Sequence, residues 1–250
     1  MNRGNIQKIS IKPSDIGNIK RSYVKHATPI TRSGGVCLNT TNSHIEFHRD
    51  SAYLLKDIFF VAYYTIGTPY EGEAIKLKSS LDKLDLLHDI VGVPSMGSWQ
   101  QNTRFKAKFL QQMLTKHKGH NLVYVDVDAV VHSIPILFKD YTCDIGIRYQ
   151  DFRWRKNECL SGTIFLANNE NVMKVCKEWE NINIKESSDK QNLEQWNLGS
   201  AISSLHNSLN LKISNMPPEY TFIFDSMKLI YPNINPVIEH FQASRRFKKM

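Results

Sequence analysis

The sequence predicts an α/β fold, a mostly parallel sheet flanked by helices. Two observations carry this. Strand-length runs of β-branched and aromatic residues recur along the chain, and stretches with apolar residues at helical spacing stand between them. Strand, helix, strand, helix, strand in this order is a run of βαβ units, which places parallel strands side by side under a helical layer.

The elements follow in order from residue 57. Residues 58–66 form a nine-residue apolar run bounded by Gly67-Thr68-Pro69 and read as a buried strand. Residues 71–88 have helical spacing, with Leu77, Leu81, Leu84 and Leu86 or Leu87 on one face. A short strand at 90–93 is closed by Pro94, and a helix over 103–116 carries Phe105, Phe109, Leu110, Met113 and Leu114 as its apolar stripe. Residues 122–127 are a second buried strand. Further strands are expected at 145–149, 163–166, 212–214 and 237–240, and helices at 171–179 and 193–205.

Two regions emerge. Residues 57–250 hold the regular pattern, whereas residues 1–56 read as a basic extension with short β-like pieces at 9–11, 36–38 and 44–47 around a Ser33-Gly34-Gly35 turn. The chain of 250 residues is 41% hydrophobic and 22% charged, which excludes a disordered or fibrous protein. Its net charge is +8, of which residues 1–56 supply +6, nine Lys/Arg against three acids. That balance points to an anionic partner without separating nucleic acid from nucleotide or phosphate. Cys37, Cys143, Cys159 and Cys176 show no paired spacing, which argues against a zinc ribbon or disulfide scaffold. With no apolar run of membrane-spanning length and no signal-type leader, a cytoplasmic location is expected.

The chemistry concentrates at the end of the 122–127 strand, where Asp126-Val127-Asp128 follows an apolar run. Acidic residues are disfavoured in a buried strand, and ligands of parallel sheets bind at the strands' carboxyl ends. Residues i and i+2 of a strand share a face, so the two carboxylates are expected to point together. Held close, they repel unless a proton or cation compensates, and a hard divalent cation is the natural partner. His44, Glu46 and His48 lack a zinc-ligand spacing and are read as no site; Walker-type and dinucleotide-binding glycine patterns are absent.

Five segments in order resemble a known family. Ala62, Tyr63, Tyr64 and Thr65 end the first strand; Asn102-Thr103-Arg104-Phe105-Lys106 opens a helix before the Asp-x-Asp strand; Ser161-Gly162 begins a segment that runs to Asn168; Glu194-Gln195 starts a later helix; His240 stands before Arg245, Arg246 and Lys248. Together with Asp126 and Asp128, these residues resemble the GT-A nucleotide-diphospho-sugar transferases of the glycogenin and galactosyltransferase-like kind. The resemblance implies a Rossmann-like, mixed and mostly parallel sheet. It implies donor contacts from Ala62, Tyr63, Tyr64, Thr65, Thr103, Lys106, Ser161, Gly162, Arg245, Arg246 and Lys248. It further implies a catalytic set of Asp126, Asp128, Glu194 and Gln195, and a Mn²⁺ or Mg²⁺ ion held by Asp126, Asp128 and His240. An imidazole ligand favours Mn²⁺. The expected reaction moves a sugar from a nucleotide-sugar donor, such as a UDP-sugar, with retention. The acceptor (glycan, protein, lipid or nucleic-acid base) stays open. Two alternatives also stay open: a haloacid-dehalogenase-like phosphatase using Asp126, with Asp140 and Asp144 as its later acids, and a nucleic-acid-binding protein gripping phosphates with its basic ends.

Overall fold

The computed structural model describes residues 28–32, 35–39, 54–152, 155–185 and 194–247. Strands β1 (Thr28–Arg32) and β2 (Gly35–Asn39) pair antiparallel, and the expected piece at 36–38 falls within β2. The pieces at 9–11 and 44–47, and His44, Glu46 and His48, lie outside the described residues.

The main sheet has six strands: β3 (Ile58–Thr65), β4 (His88–Val93), β5 (Asn121–Val125), β7 (Ile145–Phe152), β8 (Arg155–Leu166) and β9 (Ile213–Asn215). Their spatial order is β4-β3-β5-β8-β7-β9. β3 runs parallel to β4 and β5, β8 runs antiparallel to both β5 and β7, and β9 is parallel to β7. The result is the mixed, mostly parallel sheet expected, with β8 alone reversed. A second, three-stranded sheet joins β6 (Ala129–Val131), β10 (Phe222–Ile223) and β11 (Ile238–His240) in the order β10-β11-β6.

Pleating divides the apolar residues between two cores. Val61, Tyr63 and Tyr124 face one side, with α3 (Lys106–Lys116), α4 (Glu170–Lys185) and α5 (Glu194–Leu209) packed over them through Phe109, Leu110, Trp179 and Ala201. Phe60, Ala62, Val123 and Val125 face the other, against Leu77 and Leu81 of α1 (Tyr70–Lys83) and against Phe138. Each fully buried side chain of this size contributes about 1.5–3 kcal/mol.

Some boundaries differ from those read off the sequence. The helix expected to reach residue 88 stops at Lys83, because Asp85 takes a left-handed conformation (φ 53°) and the Leu86 amide bonds back to the Leu81 carbonyl. Strand β4 then begins at His88, two residues earlier than expected, because His88 pairs with Phe60. The helix expected at 103–116 is two: α2 (Trp99–Arg104) starts at a Ser98–Gln101 capping box, and α3 follows across Phe105. Two further short helices lie among the described residues, α6 (Ser226–Ile230) and α7 (Ala243–Phe247). Among the described residues, no helix is long and apolar enough to cross a membrane.

Candidate functional site

Strand β5 ends at Val125, one residue before Asp126. The carboxylates are therefore brought together by a turn rather than by strand pleating. The Asp126 amide donates to the Gly162 carbonyl of β8 (2.8 Å), and the Ala129 amide closes the turn onto the Asp126 carbonyl (3.0 Å). The chain then pairs with β11, whose register sets His240 opposite Ala129. One ligand atom each from Asp126, Asp128 and His240 lie within 4.8 Å of one another. Among the described residues this is the only group of three or more His, Cys, Asp or Glu side chains able to share a cation.

Local electrostatics suit that use. Burial, reinforced by the negative charge of Asp126, pushes the Asp128 carboxyl up to about 6, while the Ala243 amide (2.6 Å) pulls it down. Burial pushes His240 down to about 4, so its imidazole is neutral at pH 7 and has a lone pair to offer a cation. Its Nε2 lies 2.8 Å from the Thr163 hydroxyl. Gly162 passes directly beneath: a Cβ there would stand 3.1 Å from His240 Cε1 and 3.4 Å from Asp126 Oδ2. Glycine is what lets β8 approach this closely.

Behind the carboxylates sits a buried cation. Lys106 Nζ lies 3.0 Å from Asp126 Oδ1 and 2.8 Å from Glu194 Oε1, and it donates to the Ser161 carbonyl at 3.2 Å. Burial alone would push this ammonium down, but Asp126 and Glu194 outweigh it and hold it well above its ordinary value. Tyr124 donates its hydroxyl to Asp126 Oδ1 (2.8 Å), and its ring lies under the Lys106 ammonium. Glu194 accepts from Ser161 Oγ (2.8 Å) with the same oxygen that meets Lys106, while its Oε2 is buried and without a hydrogen-bond partner. The Trp179 indole anchors the Glu194 backbone carbonyl (2.9 Å). Gln195 turns instead to Glu158, donating at 2.7 Å.

All of this opens into a cleft of about 490 Å³ at the carboxyl ends of β3 and β5. No family model and no curated protein matches the sequence. The structure, however, is similar to the crystal structure of a glycosyltransferase involved in the glycosylation of the major capsid of PBCV-1. The TM-score is 0.57 at 11% identity, over 77% of this chain and 96% of that one. The fold is a glycosyltransferase fold. The glycosyltransferase GlyE of Streptococcus pneumoniae TIGR4 aligns less well, with a TM-score of 0.45 at 12% identity over 73% of this chain and 54% of that one.

On this glycosyltransferase fold, most residues singled out in the sequence gather at the cleft. Tyr63, Tyr64, Thr65, Thr103, Lys106, Asp126, Asp128, Ser161, Gly162, Glu194, Gln195, His240 and Arg245 line it. The Tyr63 hydroxyl donates to the Asn102 carbonyl (2.7 Å), locking the end of β3 to α2. Ala62 is apart from them, packed in the core below among Phe60 and Val125. Arg245 is half-exposed and ion-paired with Asp225. Lys248 and the Arg246 side chain lie outside the described residues. Tyr70, Trp99, Glu158 and Thr163 also line the cleft and carried no motif. The Ser98-x-x-Gln101 spacing, which the structure uses as a capping box, is a local signal from which a helix start at Trp99 could have been read.

Proposed function

We propose that this chain is a metal-dependent glycosyltransferase. It moves a sugar from a nucleotide-diphosphate donor, a UDP-sugar, to an acceptor hydroxyl, with retention at the anomeric carbon. The observation that carries the reading is the convergence of Asp126, Asp128 and His240 at the strand ends of this fold. Two hard carboxylate oxygens and a neutral imidazole fit Mn²⁺, or Mg²⁺ with less preference. When bound, such an ion supplies Lewis-acid stabilisation to the departing diphosphate.

The chain's own groups do the rest. Lys106 and Tyr124 orient the Asp126 carboxylate from behind, so that it is preorganised before donor arrives. Tyr64 and Thr65, at the end of β3, serve the nucleoside. Ser161 and Lys106 hold one oxygen of Glu194 and so fix this carboxylate in the wall of the cleft, where its charge is felt through the Lys106 ammonium it shares with Asp126. Gln195 orients Glu158 at the same wall. Retention is favoured because the cleft's carboxylates are engaged, Asp126 by Lys106, Asp128 by the Ala243 amide and Glu158 by Gln195, while Glu194 has one oxygen on Lys106 and the other buried away from an acceptor. A direct inversion needs a base poised at the acceptor hydroxyl. The phosphatase alternative has less support, since Asp140 and Asp144 do not line the cleft.

A panel of nucleotide sugars incubated with Mn²⁺ tests the reading. One donor should hydrolyse slowly without acceptor, and the rate should vanish with EDTA or in Asp126→Asn. If no donor turns over and no nucleoside diphosphate binds in a metal-dependent way, the proposal is wrong.

A further inference from the structure

The short helix α6 presents apolar side chains to solvent. Eight large apolar side chains are exposed among the described residues, and three of them, Phe224, Leu229 and Ile230, fall within seven consecutive positions. The other five stand singly along the chain, as is ordinary for a folded surface. Leu229 is 86% exposed and Ile230 53%. Side chains this exposed project from the surface and do not line a groove. The fold holds them there. Asp225 caps α6 by accepting from the Ser226 amide, and it also pairs with Arg245, which ties α6 to α7. Met227 is fully buried, its Sδ accepts from the Ile223 amide (3.1 Å), and the Tyr231 amide closes on its carbonyl (2.7 Å).

The same stretch holds the positive charge of the main region. Residues 224–250 carry five Lys/Arg against two acids, whereas residues 57–223 carry 18 against 19. Lys228 stands beside Leu229, exposed, and no acid among the described residues pairs with it. Arg246, Lys248 and Lys249 follow within four residues of Arg245, so their charges stay tethered to this side of the molecule.

We propose that the face built by α6 and α7 docks on an anionic lipid bilayer, with Leu229 and Ile230 entering the headgroup boundary and Lys228 meeting lipid phosphate. The cations of residues 245–249 add to the attraction. Two weak signals, a small apolar wedge and a cluster of cations, are together what holds a protein at such a surface. A protein partner fits less well. It would need a socket shaped for a projecting Leu229, and its interface core would exclude the lysine next to it. A bilayer needs no socket, and Lys228 can reach up to the headgroups while its neighbours insert. This docking does not depend on the donor chemistry. Arg245 also lines the cleft, so the docked face adjoins the cleft's rim.

The test is co-sedimentation of the full chain with vesicles of phosphatidylcholine alone and of phosphatidylcholine mixed with phosphatidylglycerol, at low and at high salt. The chain should pellet with the mixed vesicles, and high salt should weaken this. Leu229→Ser with Ile230→Ser should lower the partition coefficient about tenfold. Lys228→Gln with Lys249→Gln should lower it about tenfold as well, and should remove most of the preference for phosphatidylglycerol. All four side chains can be changed without touching either core, and equal thermal midpoints confirm that the fold is kept. No pelleting with the mixed vesicles overturns the docking, and so does pelleting that the Leu229 and Ile230 changes leave intact. Light scattering runs in parallel. A dimer that those two changes dissolve, without vesicle binding, overturns the lipid partner and assigns the face to a second copy of the chain.

Discussion

Asp128 and His240 are shifted in opposite directions by the same cause, burial of a charge, and both shifts bear on cation binding. A cation needs Asp128 ionised and His240 neutral. His240 meets that condition at any pH above about 4, so Asp128, pushed up to about 6, is the group that limits binding on the acid side. Mn²⁺ affinity should be flat above pH 7 and fall about tenfold per pH unit once the pH drops below the Asp128 value, since one proton then competes with the ion. Calorimetric titration between pH 5 and 8 checks this, and an affinity that stays flat down to pH 5 would contradict it. At the same scale, Gly162 has a sharply defined role. Gly162→Ala puts a methyl group against both His240 and Asp126, and the neighbours must give by a few tenths of an ångström. The expected outcome is an intact fold with Mn²⁺ affinity reduced about tenfold, seen in the same titration.

At the level of elements, the site is held by a strut between helices rather than by the strands alone. Lys106 on α3 joins Asp126 at the end of β5 to Glu194 at the start of α5, and Trp179 on α4 fixes the Glu194 backbone. The Lys106 side chain is only 3% exposed and that of Glu194 11%, whereas Asp126 is 36% exposed and partly screened by water. Removing the ammonium therefore strands Glu194 above all. Lys106→Met should cost about 3 kcal/mol, a fall in the thermal midpoint of roughly 10 °C. Adding Glu194→Gln removes the lone carboxylate and should recover part of that loss, even though both changes damage the site. Thermal melting of the single and double variants, each read without metal, decides it. A double variant no more stable than Lys106→Met would show that Glu194 is not the stranded group.

For the molecule as a whole, the three-stranded sheet and the six-stranded sheet meet at the cleft, so a ligand bridging them stabilises the entire fold. UDP with Mn²⁺ at about 100 times its dissociation constant should add about 2.7 kcal/mol, raising the midpoint by roughly 5–10 °C. The shift should be absent with EDTA and in Asp126→Asn, which differential scanning fluorimetry will show directly. The layered architecture behind this was legible in the chain because it rests on local periodicity. The apolar run that forms β3, the Phe109 to Leu114 stripe of α3 and the run that forms β5 each declare their element within about ten residues. The three-stranded sheet was not legible in that way. Of its strands only β11 falls in an expected run, 237–240; β6 and β10 are two or three residues each, too short for any period to register, and they exist because each pairs with β11.

The same division runs through the site. The sequence by itself determined that two carboxylates stand at the end of a buried strand, because an apolar run ending in Asp126-Val127-Asp128 has few other physical meanings. It also determined the helix that carries Lys106. Only the tertiary structure decided what those groups do. Glu194, 88 residues from Lys106, becomes its ion-pair partner, and Ala243, 115 residues from Asp128, caps its carboxylate. His240 reaches the pair through the register of β11 on β6, and Gly162 leaves the space for it. Local pattern specifies elements because periodic burial is a property of neighbours in the chain. A charge, by contrast, is answered by whichever opposite charge or dipole the packed fold brings within a few ångströms, and no local pattern records that distance.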